Sequence, residues 1–186
     1  VILGGGAAGL SLGRELVRNI KNTNSILIIE ARTIYEDDRT WCFWKDQYAN
    51  INHLESIIYR DWSRWSLSDN SNEYIHESSA FKYQCIKAKD FYHLTTTEIL
   101  DSKFVTLKMS TKVIEVEEKI DFVSIKTDNE IIEAKYVVDT RPQTNMQKSN
   151  PLMYQVFSGC EIRSEKKIFL QDQTVGLMTQ LTSTDY

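Results

Sequence analysis

A glycine-rich turn between an apolar strand and a helix constrains the fold of this chain more than any other feature. Val1-Ile-Leu3 resembles the end of a strand, and Gly4-x-Gly6-x-x-Gly9 follows it directly. Apolar residues then recur near the helical period from Leu10 to Ile20. Ser25-Ile-Leu-Ile-Ile-Glu30 is an almost wholly apolar run, typical of a strand buried in a parallel sheet. Residues 1–30 therefore predict a strand–helix–strand unit.

The spacing of these glycines predicts a phosphate-binding turn. Gly4 permits a tight turn out of the strand, and Gly9 lets the helix pack closely on the sheet. Gly6 has no Cβ, so a pyrophosphate can approach the backbone. The N–H groups at the start of the helix, around Ala7 and Ala8, would then face the phosphates at the positive end of the helix dipole.

An acid at the end of the second strand strengthens this interpretation. Glu30 lies 21 residues beyond Gly9, close to the spacing of about 20 that dinucleotide sites show. Its carboxylate can accept hydrogen bonds from the 2′- and 3′-hydroxyls of a ribose and would repel a 2′-phosphate. The pattern therefore predicts FAD or NAD rather than NADP. The alternative is a glycine-rich turn with no ligand.

The remainder of the chain favours FAD over NAD. Residues 33–80 are irregular and contain all four tryptophans, and Trp62 to Leu67 could be strand. Phe81–Ile86 alternates as a strand does, and Asp90 predicts an N-cap for a helix from about Phe91 to Leu100. The period then changes to two, with the strand candidates Phe104–Met109, Val113–Glu118, Val123–Thr127 and Ile131–Asp139 and a hairpin turn at Asp128-Asn129. Such a β-meander is common in FAD domains, whereas NAD domains usually continue with regular strand–helix alternation.

The predicted fold class is therefore α/β, a Rossmann-like FAD/NAD(P)-binding domain with a β-meander insertion. Beyond the first 30 residues we expect a mixed insertion over 31–103, a meander and return strand over 104–142, and the start of a substrate region over 143–186. The chain begins with Val1 rather than Met and stops at Tyr186 without a stop signal. We therefore expect it to be incomplete at both ends.

Composition argues against several other classes. A net charge of −4 without a basic stripe makes nucleic acid an unsuitable partner. The apolar stretches are too short to cross a bilayer, and no secretory signal is visible. Three scattered cysteines without a CxxC pair predict neither a disulfide framework nor a structural zinc, and the histidines show no metal spacing. A cytoplasmic protein without a metal site is expected.

Several blocks give a family resemblance. They are, in chain order, Gly4-Gly-Gly-Ala-Ala-Gly-Leu-Ser-Leu12, Asp38-Arg-Thr-Trp-Cys-Phe-Trp44, Asp90-Phe-Tyr92, Val138-Asp-Thr-Arg-Pro142 and Gln155-Val-Phe-Ser-Gly159. Together they resemble the lycopene cyclase family of carotenoid-synthesising bacteria over nearly the whole chain. The second and fourth blocks are the specific ones, because many flavoproteins share the first.

The resemblance implies a FAD-dependent enzyme that closes the ends of linear lycopene, or a related carotene, into ionone rings without net oxidation. NADPH would keep the flavin reduced. By motif match, the ADP half of FAD would contact Gly4, Gly6, Gly9 and Glu30. Arg39, Asp139 and Arg141 would lie near the phosphates or the flavin. Because lycopene resides in membranes, a peripheral association with the cytoplasmic face of the inner membrane is also implied.

Cyclisation needs a proton delivered to an alkene and a carbocation kept from water. Trp41, Phe43 and Trp44 are candidates for an aromatic wall around that cation, the alternative being ordinary core aromatics. The family usually carries Leu-Met-Asp-Phe, with its Asp the suspected acid, where this chain reads Leu177-Met-Thr-Gln180. Thr179 cannot deliver that proton, and although Asp172 and Asp185 lie nearby, no catalytic acid is assigned.

Two other functions remain open from the sequence. One is a flavin-dependent monooxygenase or dehydrogenase that acts on another lipid-like substrate. The other is a dinucleotide-binding module without catalysis. Neither the ring type nor the oligomeric state follows from the residues.

Overall fold

A computed structural model of the protein describes residues 1–19, 25–46, 48, 52–69, 71–142, 165–166 and 175–179. The chain divides into two compact units, and each unit is built from two separate stretches. The first unit contains Val1–Arg39 and Lys87–Thr144, and the second contains Thr40–Ile86 and Asn145–Tyr186.

Strands outnumber helices among the described elements. In chain order these are β1 (Ile2–Leu3), α1 (Ala7–Asn19), β2 (Ile26–Ile29), β3 (Thr40–Asp46), a 3₁₀ helix (Asn52–Ile57), β4 (Ile58–Trp62), β5 (Arg64–Ser68), β6 (Glu73–Glu77), β7 (Phe81–Lys87), α2 (Ala88–Leu100), β8 (Val105–Lys108), β9 (Val113–Glu118), β10 (Val123–Thr127), β11 (Ile131–Ala134), β12 (Val138–Asp139) and β13 (Val175–Thr179).

A parallel sheet with the strand order β12-β1-β2-β8 forms the base of the first unit. Helix α1 connects β1 to β2, and Leu10 on this helix is fully buried together with Leu3 and Ile28 of the sheet. A Cβ at Gly13 would lie 2.6 Å from Cδ1 of Ile28, so any larger residue there would require the Ile28 side chain to shift. The prediction of an α/β fold with a parallel sheet is confirmed.

The start of helix α2 differs from the prediction. The helix begins at Ala88, its N-cap is Lys87 without a side-chain bond, and Asp90 lies in the first turn rather than at the cap. The loop before β3 takes over the capping role, because the N–H of Ala88 donates to the Arg39 carbonyl at 3.0 Å and that of Lys89 donates to Oδ1 of Asp37 at 3.4 Å. A tertiary contact therefore replaces the local cap that Asp90 suggested.

The two helices contact each other through a buried charge. Arg14 on α1 is 2% exposed and forms an ion pair with Glu98 on α2. Because an arginine this deeply buried needs a carboxylate partner, this pair fixes the register of the two helices.

The β-meander consists of β9, β10 and β11, paired antiparallel with β10 in the centre. The predicted turn at Asp128-Asn129 is confirmed, since the N–H of Thr127 donates to the Glu130 carbonyl at 2.8 Å. Ile125 of β10 is fully buried in one cluster with Leu3 and Ile29 of the parallel sheet. The run predicted as one strand over Ile131–Asp139 is divided into β11 and β12, and Val105–Lys108 pairs in parallel with β2 rather than with the meander.

The described residues of the second unit form two three-stranded sheets. One has the order β3-β7-β4, and the other has the order β13-β5-β6. Within the second sheet, β5 pairs antiparallel with β6 and parallel with β13. The Trp-rich block over Thr40–Asp46, in a region that the sequence suggested was irregular, forms strand β3. The run from Trp62 to Leu67 is interrupted at Ser63, between β4 and β5.

Some sequence predictions fall on residues outside the described ranges. These are the block Gln155–Gly159 and the acids Asp172 and Asp185. Among the described helices, none combines the length and the apolar character that crossing a membrane requires.

Candidate functional site

The glycine turn joins β1 to α1 at the carboxyl edge of the parallel sheet. Gly4 has a φ of 96°, a backbone conformation that residues with a Cβ rarely adopt. A Cβ on Gly9 would lie 1.9 Å from the Gly4 carbonyl oxygen, so the start of α1 rests directly on the strand. The turn predicted at Gly4 and the close packing predicted at Gly9 are confirmed.

Gly6 stands in contrast to its neighbours. A Cβ built there would meet no atom within 4 Å, so the space above the turn is open. Helix α1 begins one residue later at Ala7, and the N–H of Leu10 donates to the Gly6 carbonyl at 3.0 Å. The N–H groups of the first turn before Leu10 therefore have no acceptor within the helix. An open space at a helix N-terminus suits a diphosphate.

Glu30 lies beside this turn, immediately after β2. Its Oε2 accepts a hydrogen bond from the N–H of Gly5 at 2.8 Å, and its Oε1 accepts one from the N–H of Arg32 at 2.9 Å. Burial acts to raise the pKa of Glu30, but hydrogen bonds and charge from Arg32, with the Gly5 bond, outweigh it and hold the pKa below its usual value. The carboxylate is thus charged at neutral pH and directed at the glycine turn.

Three residues that were not predicted as site residues surround Glu30, namely Arg32, Tyr35 and Tyr92. The rings of Tyr35 and Tyr92 stack with centroids 4.2 Å apart, and the hydroxyl of Tyr35 donates to the Gly5 carbonyl at 2.9 Å. Nη1 of Arg32 donates to the Tyr92 hydroxyl at 2.9 Å. Burial and the charge of Glu30 raise the pKa of Tyr35, so its hydroxyl stays a donor. Tyr92 belongs to the family block Asp90-Phe-Tyr92, and this block was the one feature of the sequence that could have indicated its place in the site.

The predicted residues at the end of β12 and directly after it also lie beside the glycine turn. The hydroxyl of Thr140 donates to the carbonyls of Leu3 and Gly4 at 2.9 and 3.1 Å. Arg141 forms two side-chain bonds to Asp139, at 2.9 and 2.7 Å, and its Cγ lies 3.2 Å from the position of a Cβ on Gly4. Asp139 and Arg141 therefore lie close to Gly4, so the structure brings these predicted site residues together with the glycine turn.

Arg39 lies in the same unit, and its described contacts are to Asp38 and Ala88 rather than to the glycines. Its guanidinium is half exposed and pairs with Asp38 at 2.6 Å. Asp38 in turn lies 3.9 Å from Nη1 of Arg32. The structure thus links Arg39 to the Glu30 side of the site through Asp38, and its role toward a ligand stays a prediction.

The three residues predicted to form an aromatic wall all lie in strand β3. In β3, alternate side chains point to opposite faces, so Trp44 lies on one face and Trp41 and Phe43 on the other. The three residues therefore do not form one surface, and that prediction is wrong. Trp44, 45% exposed, instead contacts Trp65 of β5 and Tyr83 of β7, with centroids 4.7 and 4.9 Å away. We call Trp44, Trp65 and Tyr83 the aromatic cluster.

A cavity of about 410 Å³ in the second unit has a charged lining. Nζ of Lys45 lies 2.7 Å from Oε1 of Glu55, and Nζ of Lys82 lies 3.3 Å from Oδ2 of Asp61. Ile58 and Ala80 also line it. In the part of the chain that the structure describes, no group of His, Cys, Asp and Glu could hold a metal ion.

Solved structures share this fold at low sequence identity. Superposition on p-nitrophenol 4-monooxygenase PnpA from Pseudomonas putida DLL-E4 gives a TM-score of 0.57 at 12% identity, covering 75% of this chain and 39% of that chain. CtdE in complex with FAD gives 0.54 at 16% identity, covering 75% and 37%. The Diels-Alderase PyrE3 of pyrroindomycin biosynthesis gives 0.54 at 17% identity, covering 75% and 31%. The chain thus shares the α/β fold of these three proteins, one of which was solved with FAD, and it spans roughly a third of their length.

The sequence comparison narrows the class to one family. The family described as lycopene cyclase protein matches residues 1–181, which is nearly the whole chain. No curated protein matches the sequence significantly. The chain belongs to the lycopene cyclase family.

Proposed function

We propose that this chain supplies the Rossmann-like FAD-binding part of a lycopene cyclase that closes the ends of a linear carotene into ionone rings. The observation that carries the proposal is the open space above Gly6 at the start of α1, with the Glu30 carboxylate beside it. This arrangement suits a ribonucleoside diphosphate, and it occurs within a chain of the lycopene cyclase family. All 186 residues would form part of one FAD-binding protein domain with its insertions.

Residues of the first unit would hold the cofactor. The diphosphate would contact the backbone at Gly4, Gly6 and Gly9, together with the N–H groups of Ala7 and Ala8. Glu30 would accept hydrogen bonds from the ribose, and Arg39, Asp139 and Arg141 would complete the polar surroundings. When bound and kept reduced by NADPH, FAD supplies negative charge that stabilises a carbocation.

The second unit contains aromatic side chains that suit the cationic end of a carotene. The aromatic cluster presents ring faces that attract a cation by about 0.5–2 kcal/mol each. These rings also exclude water, which would otherwise quench the cation before the ring closes. Trp44 is the exposed member, so we assign it the contact with the carotene end.

The proton donor distinguishes this chain from its family. The position of the family aspartate carries Thr179, the last residue of β13, which pairs with Ser68 of β5. A threonine hydroxyl is far too weak an acid to protonate an alkene. We therefore expect the Thr179→Asp variant to form rings at least about tenfold faster than the wild-type protein.

The test is ring formation from lycopene by the purified protein with FAD and NADPH under argon. Cyclic carotene without any oxygen requirement supports the proposal. In a parallel reaction under air, consumption of oxygen or a hydroxylated or desaturated product would instead support a flavin monooxygenase or dehydrogenase. Binding of FAD with no change in any polyene, even in the Thr179→Asp variant, would leave a dinucleotide-binding module.

We further propose that the protein acts at the cytoplasmic face of the inner membrane, because a linear carotene is dissolved in the bilayer. Sedimentation with vesicles that contain lycopene tests this. Recovery of all the protein in the supernatant, at both low and high salt, would contradict a peripheral association.

A further inference from the structure

The hydrogen bonds of Glu30 fill its entire accepting capacity. A carboxylate offers about four lone-pair sites, two on each oxygen. Oε1 accepts from the backbone N–H of Arg32 at 2.9 Å and from its Nε at 3.1 Å. Oε2 accepts from the N–H of Gly5 at 2.8 Å and from Nη2 of Arg32 at 3.2 Å. A ribose can therefore bond to Glu30 only by displacing one of these donors.

The four donors differ in how readily they can leave. The two backbone N–H groups are fixed by the glycine turn and by the chain after β2. The other two donors, Nε and Nη2 of Arg32, belong to one flexible side chain that is 29% exposed and covers a carboxylate that is 9% exposed. Moving this guanidinium frees one site on each oxygen of Glu30, which is the pattern that the two hydroxyls of a ribose require.

Other acceptors already lie next to the guanidinium. Nη1 of Arg32 donates to the Tyr92 hydroxyl at 2.9 Å and lies 3.9 Å from Oδ2 of Asp38. Its Cζ also lies 4.9 Å from the centroid of the Tyr35 ring. A small rotation away from Glu30 would therefore keep Arg32 in contact with acidic and aromatic partners, and its charge would stay compensated.

We propose that Arg32 is the specificity-determining residue of the ribose site, an internal ligand of Glu30 that a free 2′,3′-diol displaces. This inference rests on the proposed function. Each ribose hydroxyl gained by Glu30 is offset by a bond lost from Arg32, so the wild-type site gains little from the 2′-hydroxyl. Removing the guanidinium leaves the carboxylate sites open before the nucleotide arrives, and the 2′-hydroxyl then contributes in full.

The experiment measures the dissociation constants of ADP and 2′-deoxy-ADP by calorimetry, with the purified protein and its variants. We expect the wild-type protein to prefer ADP by less than about threefold and Arg32→Met to prefer it by about tenfold or more, the range of a hydrogen bond to a charged group. Arg32→Lys, which keeps the charge but loses the guanidinium fork, should lie between the two and serves if the Met variant unfolds. Arg18→Met is the matched control, because that arginine pairs with Glu98 at 3.0 Å and has no assigned role in the site, and it should keep the wild-type ratio.

The outcomes distinguish a failure of the proposed role of Arg32 from a failure of the proposed nucleotide site. If ADP binds but the preference is the same in the wild-type protein and both Arg32 variants, Arg32 does not exchange with the ribose and the inference is wrong. A preference that falls in those variants would mean that Arg32 assists the ribose, which also overturns it. If the wild-type protein binds no ADP, the proposed nucleotide site itself is wrong.

Discussion

Gly6 and Gly9 belong to one motif, yet the structure predicts opposite consequences for the same substitution. In the Gly9→Ala variant the new Cβ would lie 1.9 Å from the Gly4 carbonyl oxygen, and helix α1 would have to retreat by about 1.1 Å to reach even 3.0 Å. Because the obstacle is backbone, the cost should fall at the upper end of overpacking, about 3 kcal/mol. That is a large part of the stability of a domain, which totals about 5–15 kcal/mol.

In the Gly6→Ala variant the Cβ enters open space, and the φ of this residue lies outside the range that L-residues avoid. Its unfolding free energy should therefore stay within about 0.5 kcal/mol of the wild-type value. The same methyl group occupies the space where the diphosphate approaches, so the affinity for ADP should fall at least about tenfold.

Urea unfolding followed by circular dichroism, together with calorimetric titration of ADP, measures both effects. At a slope of about 2–3 kcal/mol/M, the midpoint of Gly9→Ala should fall by about 1–1.5 M, whereas that of Gly6→Ala should not move. Equal loss of stability in both variants would refute the assignment of Gly9 to packing and Gly6 to ligand approach. Normal ADP binding by a stable Gly6→Ala variant would refute the phosphate site.

Three further outcomes follow from contacts described above. The hydrogen bond from Arg14 lowers the pKa of Glu98, so the stability that this carboxylate contributes is present above its unfolded pKa of 4.5 and is lost as the pH falls through the folded value. Glu98→Gln should therefore destabilise the protein by about 2 kcal/mol at pH 7 and flatten the decline of stability below pH 4.5. An unchanged dependence of stability on acidic pH would contradict this. Trp44→Leu should slow ring formation by about 2- to 30-fold, the range of one cation–π contact. Trp41→Leu, on the other face of β3, should act through stability alone. Equal losses of rate in two equally stable variants would contradict the assignment of Trp44 to the carotene contact. Tyr35→Phe removes the donor to the Gly5 carbonyl and should cost about 1 kcal/mol in thermal unfolding, whereas an unchanged midpoint would show that water replaces it.

The β-α-β unit and Glu30 could be predicted because their signals are local. The glycine spacing, the apolar run of β2 and the acid after it all occur within 30 residues, and backbone geometry translates them directly into structure. Helix α2 begins three residues before its predicted start because its cap comes from the distant loop at Asp37 and Arg39.

The surroundings of Glu30 could not be predicted from spacing. Tyr92 and Arg32 are 60 positions apart, and no local pattern in either segment predicts their contact. The aromatic cluster shows the same limit, because Trp44, Trp65 and Tyr83 come from three strands whose pairing depends on tertiary structure. The pairing of Val105–Lys108 with β2 was likewise missed, since an alternating run does not reveal its neighbour.

The parallel pairing of β5 with β13 has a consequence for synthesis on the ribosome. The two strands are separated by more than 100 positions, so β5 leaves the exit tunnel long before its neighbour exists. During that interval one border of the nascent sheet has exposed amide and carbonyl groups, which can recruit strands from other molecules. A chaperone that shields Arg64–Ser68 until Val175–Thr179 emerges would therefore increase the yield of soluble protein, and truncation before β13 should direct the product to inclusion bodies.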